Sequence, residues 1–289
     1  METNELLKKV RQIEIKTRGL SSNIFAGQYH SAFKGRGMAF SEVREYEFGD
    51  DIRDIDWNVT ARYSKPYIKI FEEERELTVM LLIDVSGSRD FGTKSMLKKD
   101  MITEIAATLA FSAIQNNDKI GVVFFSDRIE KFIPPQKGRK HILYIIRELI
   151  NFEPQHTNTD IAQVLKYLTN AIKKRCTAFL FSDYINKDDY QDALTIANRK
   201  HDVVAIQVYD GRETEIPKIG LVKIKDAESG QEKYIDTSSS KVRLSYKHWW
   251  EKRQTDMNNA FKKSRVDAIS IRTEDDYVKA LMGLFNKRS

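Results

Sequence analysis

Three oxygen-bearing side chains, spaced as cation ligands can be, follow one apolar stretch of the chain. Asp84, Ser86 and Ser88 come directly after residues 77–83, Leu-Thr-Val-Met-Leu-Leu-Ile. This run predicts a strand buried on both faces, as in the centre of a parallel sheet. One carboxylate and two hydroxyls suit a hard divalent cation such as Mg²⁺ or Mn²⁺. We therefore predict a cation-binding loop at the carboxyl end of this strand, where open α/β sheets bind their ligands.

Two later loops carry residues of the same kind. Thr157 lies in Gln155-His-Thr-Asn-Thr-Asp160, just before a predicted helix, and Asp183 follows the apolar strand 177–182. We expect both residues to meet the first loop at one edge of the sheet and to complete the metal site. Thr159 is the alternative to Thr157 as a ligand. For all these Ser, Thr and Asp residues the competing interpretation is a set of helix caps and turns, which favour the same residue types.

Strands and helices alternate from Leu77 onward, which is typical of a three-layer, Rossmann-like α/β fold with a parallel central sheet. The predicted strands are 77–83, 120–125, 129–133, 177–182, 202–209 and 268–271. The predicted helices are 95–116, 139–151, 160–174, 187–200, 243–263 and 275–286. A hairpin is predicted near 221–237, around Glu228-Ser-Gly230.

The first 76 residues have a different character. An amphipathic helix is predicted over 4–18, and short strands with ordered loops are predicted over 19–76. We therefore divide the chain into an N-terminal helix with a small β-rich extension (1–76), packed on a core domain (77–289).

A charged set surrounds Trp57 in this extension: Arg44, Asp50, Arg53, Asp56 and Arg62. Arginine–carboxylate pairs suit an ordered, loop-rich segment. We interpret the set as a structural ion-pair network that fastens the extension to the core domain. A partner-binding surface is the alternative.

Composition narrows the possible classes of protein. The chain has 289 residues, a net charge of +6 from 48 basic and 42 acidic residues, and Cys176 as its only cysteine. A single cysteine excludes an internal disulfide and a thiolate metal cluster. The sequence shows neither an apolar run of about 18 residues, as a membrane span needs, nor the apolar core of a signal peptide. We therefore expect a cytoplasmic protein.

The three loops resemble the metal-ion-dependent adhesion site of von Willebrand factor A domains. That pattern is Asp-x-Ser-x-Ser, then a Thr ahead of a helix, then an Asp at a later strand end. The matching residues are Asp84, Ser86, Ser88, Thr157 and Asp183. The resemblance implies a von Willebrand A-like domain whose cation is completed by an Asp or Glu of a partner.

A second resemblance covers nearly the whole chain. Its elements are similar to the signature of the bacterial "domain of unknown function 58" family: Gly35-Arg-Gly37, Val43-Arg-Glu-Tyr46, Gly49-Asp-Asp-Ile-Arg53, Ile55-Asp-Trp57, Thr60-Ala-Arg62, Phe71-Glu-Glu73 and Asp226-Ala-Glu-Ser-Gly-Gln231. Members are typically encoded beside MoxR-type AAA+ ATPases. The resemblance implies a partnership with such an ATPase.

These observations predict a metal-dependent protein-binding adaptor that works with a MoxR-type AAA+ ATPase, and not an enzyme. The enzyme alternative is a Mg²⁺-dependent hydrolase or phosphatase. Phosphoaspartyl enzymes of the haloacid dehalogenase type need a second Asp where this chain has Ser86. A nucleic-acid-binding protein is the remaining alternative, because Trp249 and Trp250 lie among basic residues; packing of the two rings is the simpler interpretation.

Overall fold

The computed structural model describes residues 3–20, 32, 39–63, 65–72, 77–93, 96–185, 189–228 and 230–288. Its strands are β1 (Ala39–Glu45), β2 (Tyr67–Glu72), β3 (Thr78–Asp84), β4 (Lys119–Phe125), β5 (Ile129–Gln136), β6 (Thr177–Ser182), β7 (Asp202–Tyr209), β8 (Leu221–Lys225), β9 (Glu232–Asp236) and β10 (Asp267–Arg272). Its α-helices are α1 (Thr3–Leu20), α2 (Trp57–Tyr63), α3 (Lys98–Gln115), α4 (Arg139–Asn151), α5 (Ile161–Ala171), α6 (Gln191–Lys200), α7 (Ser240–Ser264) and α8 (Tyr277–Arg288).

The central sheet of the described chain has the strand order β10-β7-β6-β3-β4-β5. Neighbouring strands are parallel except for β5, which runs antiparallel to β4 at one edge and carries Pro134 and Pro135. The chain leaves β3 toward β4 on one side and later returns to β6 on the other. The carboxyl ends of β3 and β6 therefore flank a topological switch point, the place where α/β sheets bind ligands.

Helices cover both faces of this sheet. Alternate side chains of a strand point to opposite faces, and those of β3 accordingly enter two separate apolar clusters. Val79, Leu81 and Ile83 pack in one cluster with residues of α1, α3, α4 and α8. Met80 and Leu82 pack in the other with residues of α5, α6 and α7. The predicted three-layer α/β fold with a mainly parallel sheet is confirmed.

The chain forms two compact units, with boundaries after Phe33 and after Glu76. One unit contains Met1–Phe33 together with Leu77–Ser289, and the other contains Lys34–Glu76. Helix α1 belongs to the sheet unit because Val10 and Ile13 join its apolar core. Two ion pairs support this placement, between Glu14 and Arg139 of α4 and between Lys16 and Glu104 of α3. Amphipathic periodicity predicts the helix but not the surface that it covers.

The second unit is built on an antiparallel pair of strands, β1 and β2. Arg44 donates two hydrogen bonds to Asp50, at 2.9 and 2.8 Å. Asp56 accepts hydrogen bonds from two backbone amides at the start of α2. The ring of Trp57 is 70% exposed. The Arg44–Asp50 pair thus links two residues of the same unit. The packing of this unit on the core domain stays a prediction.

Element bounds elsewhere are close to those predicted. The hairpin is formed by β8 and β9, with Leu221 opposite Asp236. Trp250 is 7% exposed and lies 5.6 Å from the ring of Tyr209, between centroids, so one ring of the tryptophan pair is a packing residue. The Gly35-Arg-Gly37 element, Glu73, and the predicted helix starts at Ser95 and Lys187 lie outside the described residues. No helix in the described ranges is long and apolar enough to span a bilayer.

The two tryptophans should respond differently to truncation. We expect Trp250→Ala to lower the free energy of unfolding by roughly 3–5 kcal/mol, because it leaves a cavity. Trp57→Ala should change it by no more than about 0.5 kcal/mol, as is usual for an exposed side chain. Urea denaturation of both variants measures the difference. A large loss for Trp57→Ala would show that its ring is buried in solution.

Candidate metal centre

The end of β3 and the end of β6 place two buried aspartates side by side. Asp84 ends β3 and is 4% exposed, and Asp183 follows Ser182 at the end of β6 and is 6% exposed. The two strands are paired in parallel, with Ile83 opposite Phe181. Ser182 donates a hydrogen bond of 2.6 Å from its hydroxyl to Oδ2 of Asp84. Sheet register alone therefore brings these carboxylates to one edge.

The first loop folds back over Asp84. The amide of Ser86 donates to Oδ1 of Asp84 at 2.9 Å, and a short 3-10 helix follows over Gly87–Asp90. The hydroxyl oxygens of Ser86 and Ser88 lie 3.3 Å apart. Oxygens about 2.1 Å from Mg²⁺ in octahedral geometry lie about 3 Å from their neighbours, so the two hydroxyls are spaced as adjacent ligands. Ser86 makes no side-chain cap bond. Asp84 and Asp183 each accept from the amide two residues ahead, as the competing turn interpretation predicts.

The second loop contacts the first loop through its backbone. The amide of Gly87 donates to the carbonyl of Thr157 at 3.0 Å. Thr157 itself is exposed, and its hydroxyl donates to the carbonyl of Glu228 at 2.7 Å. Thr159, the alternative ligand, is 8% exposed. The predicted loops therefore meet, but the Thr157 hydroxyl is bonded to the turn of the β8–β9 hairpin.

That hairpin turn lies directly against Gly87. A Cβ atom at residue 87 would come within 2.2 Å of the carbonyl oxygen of Ala227. Such a separation is far inside van der Waals contact, so only glycine fits at this position without a shift of the turn. The turn at residues 226–228 is therefore a third element at the edge that carries Asp84.

Lys98, together with its partner Glu213, is a part of this site that the sequence patterns do not indicate. Its ammonium group lies 2.9 Å from Oδ2 of Asp183 and 2.7 Å from Oε1 of Glu213. The side chains of Lys98 and Asp183 are 2% and 3% exposed. Lys98 is the first residue of α3, where the helix dipole disfavours a cation. That unfavourable position, just before a buried apolar face, is the one sequence signal that could have identified it.

Glu213 is held by the end of β7. Its Oε2 accepts a 2.8 Å hydrogen bond from the amide of Asp210. Asp210 caps the 3-10 helix Gly211–Glu213 and accepts hydrogen bonds from the hydroxyls of Thr93 and Thr273. The charged site thereby connects the ends of β3, β6 and β7.

The electrostatics of the two aspartates differ. Burial and the neighbouring charge of Asp183 raise the pKa of Asp84 to about 6. Burial alone would raise the pKa of Asp183, but the Lys98 ammonium and the hydroxyl of Ser88 hold it below its ordinary value. Burial would lower the pKa of Lys98, whereas the two carboxylates raise it. Asp183 is thus an ionised partner of a lysine at ion-pair distance, whereas Asp84 interacts at longer range with the guanidinium of Arg89.

The donor set fits a hard divalent cation in part. Asp84, Ser86 and Ser88 converge, and Ser88 also bonds Asp183, so four of the five predicted ligands are brought together. The fifth, Thr157, contacts the same loop with its hydroxyl turned to Glu228. Within the described ranges, no group of three or more His, Cys, Asp or Glu side chains is placed to hold a metal ion. The predicted set has only two such residues and depends on hydroxyls.

Comparison with known proteins identifies the family. A family model described as "Protein of unknown function DUF58" matches residues 42–256. The chain belongs to this family. A relative from Mycobacterium tuberculosis (strain ATCC 25618 / H37Rv), "Uncharacterized protein Rv1480", is 27% identical over 278 residues, which is 95% of this chain and 87% of that protein. The family resemblance seen in the sequence motifs is confirmed.

Solved structures share the fold. An aerotolerance-related membrane protein from Bacteroides fragilis aligns with a TM-score of 0.51 and 14% identity, over 73% of this DUF58 chain and 99% of that chain. The conserved hypothetical protein BatB from Bacteroides thetaiotaomicron aligns with a TM-score of 0.50 and 14% identity, over 73% and 98%. At these identities the similarity concerns the fold alone.

Replacing Gly87 by alanine should displace the hairpin turn. The new Cβ would strike the Ala227 carbonyl, so we expect a loss of roughly 1–3 kcal/mol in the free energy of unfolding and faster amide exchange across 226–228. Gly283→Ala is the control, since a Cβ there meets nothing within 4 Å. Urea denaturation and hydrogen exchange measure both. Unchanged stability and exchange in Gly87→Ala would contradict the close approach.

The raised pKa of Asp84 predicts a pH dependence of stability in the presence of EDTA. The folded protein keeps the Asp84 proton up to about pH 6, whereas the unfolded chain releases it near 3.8. The free energy of unfolding should therefore fall as the pH rises through this window, by up to about 3 kcal/mol. Asp84→Asn should lack this component. Urea denaturation between pH 4 and 7 measures it, and an equal pH profile in both proteins would contradict the buried carboxyl.

Proposed function

We propose that this DUF58 protein is a metal-dependent protein-binding adaptor. Asp84, Ser86 and Ser88 would hold Mg²⁺ or Mn²⁺, with Asp183 beside them and Thr157 completing the set after its hydroxyl leaves Glu228. The bound cation would supply a Lewis-acidic position for an Asp or Glu side chain of a partner protein. No catalytic residue is proposed, and the cytoplasmic location stays a prediction from the sequence.

The pairing of Asp183 with Lys98 is the observation that supports this function best. A site with two free carboxylates would neutralise a divalent cation. Here one carboxylate lies 2.9 Å from an ammonium ion, which it shares with Glu213. A cation beside Asp84 would keep more positive charge than it would without the nearby Lys98 ammonium, which favours a carboxylate from another protein. This charge balance suits recognition of an acidic side chain.

The class of partner comes from the family resemblance. DUF58 proteins are typically encoded beside MoxR-type AAA+ ATPases, so we propose such an ATPase, or a client that it acts on, as the source of the carboxylate. The exposed edge residues around Thr157 are accessible to a second protein. The buried position of Asp84 means that only a narrow group such as a carboxylate can reach the cation.

Melting temperatures with and without metal test the cation site. At ten times its dissociation constant a cation stabilises the fold by about 1.4 kcal/mol, which raises the melting temperature by roughly 2–4 °C. We expect this shift with Mg²⁺ or Mn²⁺ for the wild type and for Asp127→Ala, which changes another aspartate after a strand. Asp84→Ala should lose the shift. An equal shift in Asp84→Ala would place the cation elsewhere.

Binding of the purified MoxR-type ATPase from the same organism tests the partner. We expect binding with Mg²⁺, none with EDTA, and none for Asp84→Ala, with Asp127→Ala as the control. Binding that persists at equal affinity in EDTA would contradict the adaptor function. Metal-dependent turnover of a phosphate ester by the purified protein, abolished in Asp84→Ala, would favour the hydrolase alternative instead.

A further inference from the structure

Lys98 is a fully buried cation inside a site that the proposed function assigns to a metal ion. Its side chain is 2% exposed and bonds Asp183 and Glu213. Burying an ammonium ion is costly unless opposite charges surround it, and the first turn of a helix adds an unfavourable dipole. A residue in this position must therefore be held by its two carboxylates.

The geometry also separates the two aspartates by role. Oδ2 of Asp183 accepts from Lys98, and its Oδ1 accepts from the amide of Ile185 at 3.0 Å. Asp84 takes its hydrogen bonds from uncharged groups, the amide of Ser86 and the hydroxyl of Ser182. A divalent cation would thus find one carboxylate, Asp84, that is hydrogen-bonded to uncharged groups. It would find a second one, Asp183, that shares the Lys98 ammonium with Glu213.

We propose that Lys98 is a built-in counter-cation of the metal site. It holds the Asp183 carboxylate in place and keeps the affinity for a divalent cation low, so that the bound cation remains attractive to a partner carboxylate. The inference rests on the proposed function and extends it to the strength of cation binding. Glu213 has the opposite effect, because its negative charge lies 2.7 Å from the same ammonium group and offsets it.

This role predicts opposite effects from two neighbouring substitutions. Lys98→Met removes a positive charge beside the site, so Mn²⁺ should bind roughly tenfold tighter or more. Glu213→Gln removes a negative charge and should weaken Mn²⁺ binding. A purely structural role would lower the melting temperature in both variants without moving the dissociation constants in opposite directions. Dissociation constants are measured by electron paramagnetic resonance of free Mn²⁺, on the full chain.

If Lys98→Met does not fold, the double variant Lys98→Met with Glu213→Gln is used instead. It removes both members of an ion pair together, so Glu213 is not left as a buried charge without its partner. The effect of the lysine is then the ratio of Mn²⁺ affinities between the double variant and Glu213→Gln. We expect the double variant to bind more tightly. Equal or weaker binding would overturn the proposal.

Asp84→Ala separates this inference from the proposed function. Mn²⁺ binding that survives in Asp84→Ala would overturn both, since the cation would not be at this edge. Asp84-dependent binding that Lys98→Met leaves unchanged would overturn the counter-cation alone. Tighter Asp84-dependent binding in Lys98→Met, together with metal-independent binding of the ATPase, would support the counter-cation and contradict the adaptor function.

Discussion

The ion triad of Asp183, Lys98 and Glu213 is the interaction on which the carboxyl edge of this protein depends. It joins the start of α3, the end of β6 and the short helix after β7 through one ammonium group. Because all three side chains are largely buried, movement of any of the three segments would leave a buried charge without its partner. The loop that follows β3 is linked to this triad, because Ser88 hydrogen-bonds Asp183 and lies 3.3 Å from the hydroxyl of Ser86.

The sheet itself dictates where polar chemistry can occur. Strands β3 and β6 are buried along nearly their whole length on both faces, so no side chain within them can carry a charge at acceptable cost. Polar residues are confined to the strand ends, and the switch in strand order between β3 and β6 leaves a gap between two such ends. The clustering of Asp84, Ser182 and Asp183 is a direct result of this topology.

The first loop was predictable from sequence because an apolar run followed by Asp-x-Ser-x-Ser specifies both the strand and its end. Asp183 was predictable in the same way, because it follows the apolar strand 177–182. Lys98 was not predictable, because a lysine at a helix start usually lies in water and its two carboxylates are 85 and 115 residues away. The hydrogen bond from Thr157 to Glu228 could not be predicted from sequence either, because it joins loops 71 residues apart. The boundary after residue 33 depends on the packing of α1, which periodicity does not specify.

Strand β5 limits how this molecule can recognise others. It is an edge strand, and Pro134 and Pro135 deprive it of two backbone donors. An extended peptide that approached this edge would find an interrupted row of hydrogen-bonding groups, and a second copy of the sheet would meet the same obstacle. Because successive amides point to opposite sides of a strand, one of the two prolines removes a donor from the outer edge, which disfavours growth of the sheet by strand addition at that point.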